Sequence, residues 1–248
     1  MSFWDHIEEL RGTLFRSLLA VGIASIVFLC FPKPLFKIVF WPTRADFLLY
    51  RLPGVNFSMD LINIDLSAQF FFYLKVAVLC GVIVAFPFVV WEIWKFIAPA
   101  LYDNEKKAVK KAFGLSSFLF YLGVAVGYLV VLPVCLMFFM NFTVSDAVVN
   151  TISLSSYMSL FTSMVFLIGL LFEFPTVILV LSSIGIVNRG HLKKCRKYAF
   201  VVVLLLAAAI TPSDPFSMFV LAVPLYGLYE FSILLCKPAP KEEEGAEE

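Results

Sequence analysis

Residues Tyr157 to Gly185 read YMSLFTSMVFLIGLLFEFPTVILVLSSIG, a long apolar run with one carboxylate, Glu173, near its middle. A run of this length reads as a transmembrane helix. An acid at its centre costs about 2.5–3.5 kcal/mol on insertion scales, so a residue with no use there would have been leucine. Stepping by three and four residues gives Ser159, Thr162, Phe166, Gly169, Glu173 and Thr176, a small and polar stripe. That stripe should face protein or a water-filled hollow rather than lipid. Pro175, two residues on, can kink the helix and leave a backbone carbonyl free. Two readings are open: a protonated Glu173 hydrogen-bonded to a neighbouring helix, or a binding surface inside the bilayer for a polar group that arrives later.

The remaining acids of interest flank apolar runs. In SFWDHIEELRG, Phe3, Ile7, Leu10 and Leu14 recur at helical spacing and make an apolar face. Glu8 and Arg11 are three apart and can pair, which leaves Glu9 without a local partner; a solvated helix face is the plain alternative. In WEIWKFIAPALYDNEKK, Trp91, Trp94, Phe96 and Tyr102 fit an interfacial aromatic belt. Pro99 ends the preceding helix and Asp103 can cap the next, which puts Glu105 in a first turn where the helix dipole favours an anion. Further on, Pro212 and Pro215 bracket Asp214 in a tight turn where it can serve simply as a cap, and Glu230 lies toward the far end of the last apolar run.

These groups need a membrane scaffold. The chain is 61% hydrophobic and 15% charged, far from the composition of a soluble domain. Long continuous runs, rather than short segments alternating in polarity, exclude a β-barrel. The five cysteines (Cys30, Cys80, Cys135, Cys195, Cys236) lack CxxC spacing, and His6 and His191 are far apart, so neither a disulfide framework nor a zinc site is expected. No HExxH, GxSxG or glycine-rich phosphate loop occurs, and no pair of aspartates sits in two spans; enzymatic chemistry, metals and cofactors find no support. Asp5, Glu8 and Glu9 precede the first run, unlike the basic start of a cleaved signal, so that run is expected to be retained.

Six apolar segments emerge, at about 13–31, 67–97, 113–142, 157–185, 198–210 and 216–235. One set of flanks holds fourteen lysines and arginines, and the opposite set holds four: Lys33, Lys37, Arg44 and Arg51. Lys75 falls within the second segment, near its outer end, and can snorkel. The bias puts both termini in the cytoplasm. The second segment, at about 45 Å, exceeds a hydrocarbon core of about 30 Å and must tilt, bend at Pro87 or protrude. The fifth, at about 20 Å, falls short, so bilayer thinning beside the fifth and sixth is expected. The first outer loop, 32–66, is too rich in Phe, Trp and Leu for disorder and should form short surface helices broken at Pro42 and Pro53. Gly123 and Gly127 stand at GxxxG spacing, which favours close helix packing. The acidic tail 237–248 should be disordered and cytoplasmic, outside a single membrane domain of residues 1–236.

Several stretches together resemble the TatC family of the twin-arginine protein translocase: HIEELR (His6–Arg11), FPFVVWEIWKFIAPALYDNEKK (Phe86–Lys107), FEFP (Phe172–Pro175), RKYAF (Arg196–Phe200), TPSD (Thr211–Asp214) and LAVPLYGLYE (Leu221–Glu230). They fall in order along most of the chain. The resemblance implies an all-α polytopic membrane protein of six helices, with both termini cytoplasmic and the fifth and sixth helices short, in a concave glove-like bundle. It implies a receptor, in the inner membrane of a prokaryote, for signal peptides bearing paired arginines on folded cargo. Glu9 and Glu105 would bind the arginines, with Phe96 and neighbouring aromatics contributing. Glu173 would contact polar groups of TatA- or TatB-type single-span partners in later, proton-motive-force-driven stages. Arg11, Pro87, Pro99, Tyr102, Asp103, Pro175, Asp214 and Glu230 fall within the matching motifs. Self-association in a multimeric receptor complex is also implied.

Two positions depart from the family pattern. Ser213 stands where many members have Pro, and Met218 stands where many have Gln, which removes a polar group from the expected partner face. The physics of recognition agrees with the resemblance: guanidinium matches a carboxylate bidentately and an ammonium does not, so two separate acids can prefer Arg-Arg over Lys-Lys. Exposed pairs contribute only about 0.2–1 kcal/mol each, so the apolar part of the signal must supply much of the rest, in a groove lined by the second to fourth segments. The rival reading is a proton-coupled secondary transporter using Glu173, but no repeated halves are visible and one buried acid makes a poor relay.

Overall fold

The computed structural model describes residues 3–51, 57–100, 103–143, 145, 150–211 and 215–236. Tyr102, Ser213, Asp214, Pro53 and the 237–248 tail, all of which carried expectations, lie outside the described residues, as do the side chains of Asp103 and Glu105.

The chain is a bundle of long apolar helices. Helix α1 (Phe3–Leu29) is followed by the short α2 (Pro32–Val39), then α3 (Ala68–Ile97) and α4 (Asp103–Val126). A π-helical turn at Gly127–Val131 carries α4 into α5 (Leu132–Asn141). The fourth apolar segment is α6 (Leu154–Thr162), a second π-helical turn at Ser163–Leu167, α7 (Ile168–Leu171) and α8 (Phe174–Ser183). After α9 (Arg189–Lys194) come α10 (Arg196–Ile210) and α11 (Pro215–Leu235). Among the described residues five stretches are long and apolar enough to cross a membrane: His6–Leu29, Ala68–Ile97, Val109–Asn141, Leu154–Ser183 and Pro215–Leu235. At 15 residues, or about 22 Å, α10 is shorter than a hydrocarbon core. Gly185, with φ +81°, reverses the chain after α8; this left-handed conformation suits glycine, and Ile186 N–H returns to the Leu181 carbonyl.

Small residues set the closest approaches. The most extensive pairing is α1 against α3, where a Cβ at Gly81 would lie 2.2 Å from Ser25 Oγ. The glycines at GxxxG spacing face the fourth segment: a Cβ at Gly123 would meet Phe172 at 2.6 Å, and one at Gly127 would meet the Met164 carbonyl oxygen at 2.4 Å. The two π-helical turns touch each other at this crossing. Pro87 does not interrupt α3. It removes the N–H that would have bonded to the Ile83 carbonyl, and Tyr121 Oη of α4 donates to that oxygen instead at 3.0 Å.

The end of the bundle bearing α2 is capped by aromatics. The loop after α1 forms α2, then one-turn 3-10 helices at Trp41–Thr43 and Leu48–Arg51. The expected break at Pro42 falls two residues earlier: α2 stops at Val39, and Pro42 sits inside the following turn. Tyrosine hydroxyls satisfy the carbonyls that these helix ends leave open. Tyr73 donates to Leu29, Tyr128 to Ile38 at 2.6 Å, Tyr157 to Val39 at 2.5 Å and Tyr50 to Pro42 at 2.9 Å. Burial pushes the Tyr50 phenol up, so it stays a neutral donor. The loops also pair: strand β1 (Leu61–Ile62) runs parallel to β2 (Ile152–Ser153). Asn150 turns its amide onto the Phe139, Met140 and Phe142 carbonyls, closing the end of α5.

Candidate functional site

Two groups of side chains stand out, one at the bundle end formed by the start of α1 and the end of α3, the other inside the apolar layer. At the first, the His6 ring stacks on the Phe96 ring with centroids 4.4 Å apart and an interplanar angle of 21°. Glu9, one turn along α1 from His6, is half-buried, and its Oε2 is shielded from solvent without a hydrogen-bond partner. The expected pairing of Glu8 with Arg11 is not made; both are exposed, and no ion pair joins them among the described residues. Exposed groups three apart gain too little in water to hold two long side chains together.

The acid that does pair at this end is Glu92. Arg16 Nε of α1 lies 2.6 Å from its Oε2 and Lys95 Nζ of α3 lies 2.9 Å from its Oε1. The Glu92 side chain is 2% exposed, while Arg16 and Lys95 are about half exposed, so the carboxylate is inside and the cations reach it from the surface. Lys95 Nζ also lies 5.8 Å from the Trp91 ring centroid. Glu92 already holds two cations and its side chain is buried, so a further guanidinium has no open approach to it. Glu9 keeps an unsatisfied oxygen. Past the turn Ala98–Ala100, which holds Pro99, α4 begins at Asp103, so Glu105 is in its first turn. Free helix N–H groups there favour negative charge. Trp94 packs on Phe113, nearly three turns into α4, at 5.5 Å, which ties α4 to α3.

Glu173 occupies the break between α7 and α8. Its N–H reaches back three residues to Leu170 and its carbonyl accepts from Val177, so the chain tightens at Phe172–Glu173 and restarts at Phe174. Pro175 is in the first turn of α8, where its missing N–H costs nothing. Ser116 of α4, itself buried, donates from Oγ to Glu173 Oε2 at 2.6 Å, and Oε1 is shielded with no hydrogen bond. The small and polar stripe does not stay on one face. Ser159, Thr162 and Phe166 line hollows against α3, whereas Gly169 and Glu173 meet α4. The π-helical turn and the tight turn each shift the helical phase, which a count by threes and fours cannot register.

Glu230 is structural in its contacts: Arg196 Nη2 of α10 donates to its Oε2 at 2.6 Å and Tyr226 Oη to its Oε1 at 3.3 Å. Arg11 is exposed and Pro87 belongs to the α3–α4 contact described above. Met218 is half-buried against the apolar core, next to the fully buried Ser217. Among the described residues no cluster of His, Cys, Asp or Glu could hold a metal ion. Sequence reasoning missed Arg16 and Ser116. Glu92 and Lys95 stand at readable i, i+3 spacing, but nothing local marks their partner on α1.

Residues 5–224 match the family described as Sec-independent protein translocase protein (TatC). The chain is 38% identical over 251 residues to the protein of that name from Blattabacterium sp. subsp. Periplaneta americana, covering 95% of this chain and 94% of the relative. It is 35% identical to that of Helicobacter pylori strain J99, covering 98% and 93%. Two crystal structures of Twin Arginine Translocase Receptor-TatC are similar in fold. The one in DDM has a TM-score of 0.79 and 33% identity, covering 94% of this chain and 99% of that one; the other has 0.76 and 32%, covering 93% and 97%. The chain belongs to the TatC family of Sec-independent protein translocase proteins.

Proposed function

We propose that the chain is the receptor and core subunit of a twin-arginine translocase, binding the paired-arginine signals of folded proteins. The observation that carries this reading is the half-buried Glu9, with an unpartnered oxygen one turn from the His6–Phe96 stack, on the end of the bundle where α4 begins. Glu92 makes the contrast: it is buried and already neutralised by two cations, so it offers a signal arginine neither access nor unbalanced charge. Two acids on different helices read two guanidinium groups, and Phe96 gives an aromatic face beside them. The signal's apolar stretch takes the groove lined by α3, α4 and the fourth segment beside the end of α1, where Val27, Leu79, Ile83, Val124 and Phe161 line a cavity of about 520 Å3.

The bias of Lys and Arg puts this end of the bundle and both termini in the cytoplasm, with six helices crossing the inner membrane of a prokaryote and the tail 237–248 outside the membrane domain. The short α10 draws the bilayer thinner beside α11. Glu173 Oε1 then waits for a polar group on a TatA- or TatB-type helix, and copies of the chain assemble around captured cargo for transport driven by the proton-motive force. Family membership favours this reading over a proton-coupled transporter. The test is signal affinity: Glu9→Gln and Glu105→Gln, which keep shape and lose charge, should each weaken an Arg-Arg signal about two- to fivefold. Unchanged affinity in both would remove the two acids from the site.

A further inference from the structure

Between α3 and α6, at the end of the bundle bearing the β1–β2 pair, lies a hollow of about 600 Å3 whose polar lining includes Asp65, Lys75, Ser155, Ser159, Thr162 and Ser163. It adjoins an apolar slot of about 380 Å3 between α3 and the fourth segment, lined by Leu74, Val78, Val82 and Phe166; Lys75 and Thr162 border both. Neither is part of the acid site or the Glu173 break.

Lys75 is exposed in α3, seven residues past its start, or about 10 Å along the helix. Among the described residues it makes no ion pair. An ammonium at this depth is retained at a cost, which an anion would offset. The hydroxyls of Ser159 and Ser163 stand in the same wall and can donate to that anion, whereas that of Thr162 donates to Met158 Sδ. Asp65 lies before the start of α3 and accepts from Ser155 Oγ at 3.2 Å, which leaves it further acceptor capacity. Below Lys75 the lining turns to hydrocarbon, with Val78 and Val82 three and seven residues on along α3.

The order from the loop before α3 into the helix is therefore acid, base, hydrocarbon. We propose that this groove holds one phospholipid with a primary-amine headgroup: ammonium on Asp65, phosphate on Lys75 and the hydroxyls, and an acyl chain in the slot beside Val78, Val82 and Phe166. A free phosphate would leave the slot empty. A choline headgroup cannot donate a hydrogen bond to Asp65, because its nitrogen carries no proton. The inference requires only that the chain spans a bilayer and does not depend on the signal-receptor reading.

The test uses the full-length purified chain in detergent, with native mass spectrometry of retained lipid after titration with dioleoyl phosphatidylethanolamine, phosphatidylcholine or phosphatidylglycerol. The proposal expects phosphatidylethanolamine to be retained about tenfold over phosphatidylcholine, since a charge-assisted bond to Asp65 separates them. Lys75→Gln should lower retention of all three. Asp65→Asn should remove the ethanolamine-over-choline preference and leave phosphatidylglycerol unaffected. Equal retention of ethanolamine and choline lipids by the unaltered chain would overturn the proposal without recourse to any variant. So would a bound lipid that an Arg-Arg signal peptide displaces and whose headgroup does not matter, which would give the groove to the peptide.

Discussion

Gly81→Ala should loosen α1 from α3 while Gly22→Ala does not. A Cβ at residue 81 would lie 2.2 Å from Ser25 Oγ, 2.8 Å from Ser25 N and 2.9 Å from Ser25 Cα. The hydroxyl can swing aside, but the backbone atoms cannot. Restoring 3.4 Å to Ser25 N needs the helices to part by about 0.6 Å there, which is 3.4 less 2.8. Forcing a methyl into such a contact costs about 1–3 kcal/mol. A Cβ at Gly22, also on α1, meets nothing within 4 Å. Both replacements make the same gain in helix propensity, so it cancels in the comparison and the overpacking cost remains. Thermal unfolding in detergent should then place Gly81→Ala below Gly22→Ala by about 2–4 °C per kcal/mol. Adding Ser25→Gly should not restore it, because the backbone contacts persist. The same parting should pull His6 from Phe96, lowering the yield of a crosslink between cysteines at 6 and 96 in a chain whose five native cysteines are replaced. Equal melting temperatures for the two glycine variants, with equal crosslink yields, would refute the reasoning.

Three further outcomes are expected. Glu92→Gln should destabilise the fold by about 1–2 kcal/mol, below the roughly 3 kcal/mol that two charge-assisted bonds would contribute at the low end, because Arg16 and Lys95 are half exposed; a double-mutant cycle with Arg16→Gln should show the coupling across α1 and α3. Asn150→Ala, which frees three carbonyls at the end of α5, should lower stability by about 1 kcal/mol in the same unfolding assay. Glu173→Ala should leave signal capture intact and abolish export of a folded reporter from cells; full export would deny Glu173 its later role.

The long helices were legible because apolar periodicity and length are local. The helical stretches lie where the apolar runs do, and α10 is short where the run is short. The packing role of Gly123 and Gly127 was readable for the same reason. What escaped depends on residues distant in sequence. Arg16 meets Glu92 across 76 positions and Ser116 meets Glu173 across 57, and neither partner carries a local signal. The π-helical turns escaped because they change the phase of a helix without changing its composition, so the predicted stripe through Glu173 divides between two neighbours. The β1–β2 pair is two residues long on each strand, too brief for alternation to show.

The central claim is that acids on α1 and at the start of α4 read paired arginines. A photo-crosslinker at position 104 in the full-length chain, beside an intact Glu105, challenged with a synthetic signal carrying Arg-Arg or Lys-Lys, tests it most directly. The account predicts strong crosslinking to the Arg-Arg peptide, several-fold less to the Lys-Lys peptide, and loss of that difference in Glu9→Gln. Equal labelling by both peptides, or labelling only when the peptide is supplied from the side of the membrane opposite the Lys- and Arg-rich loops, would contradict it.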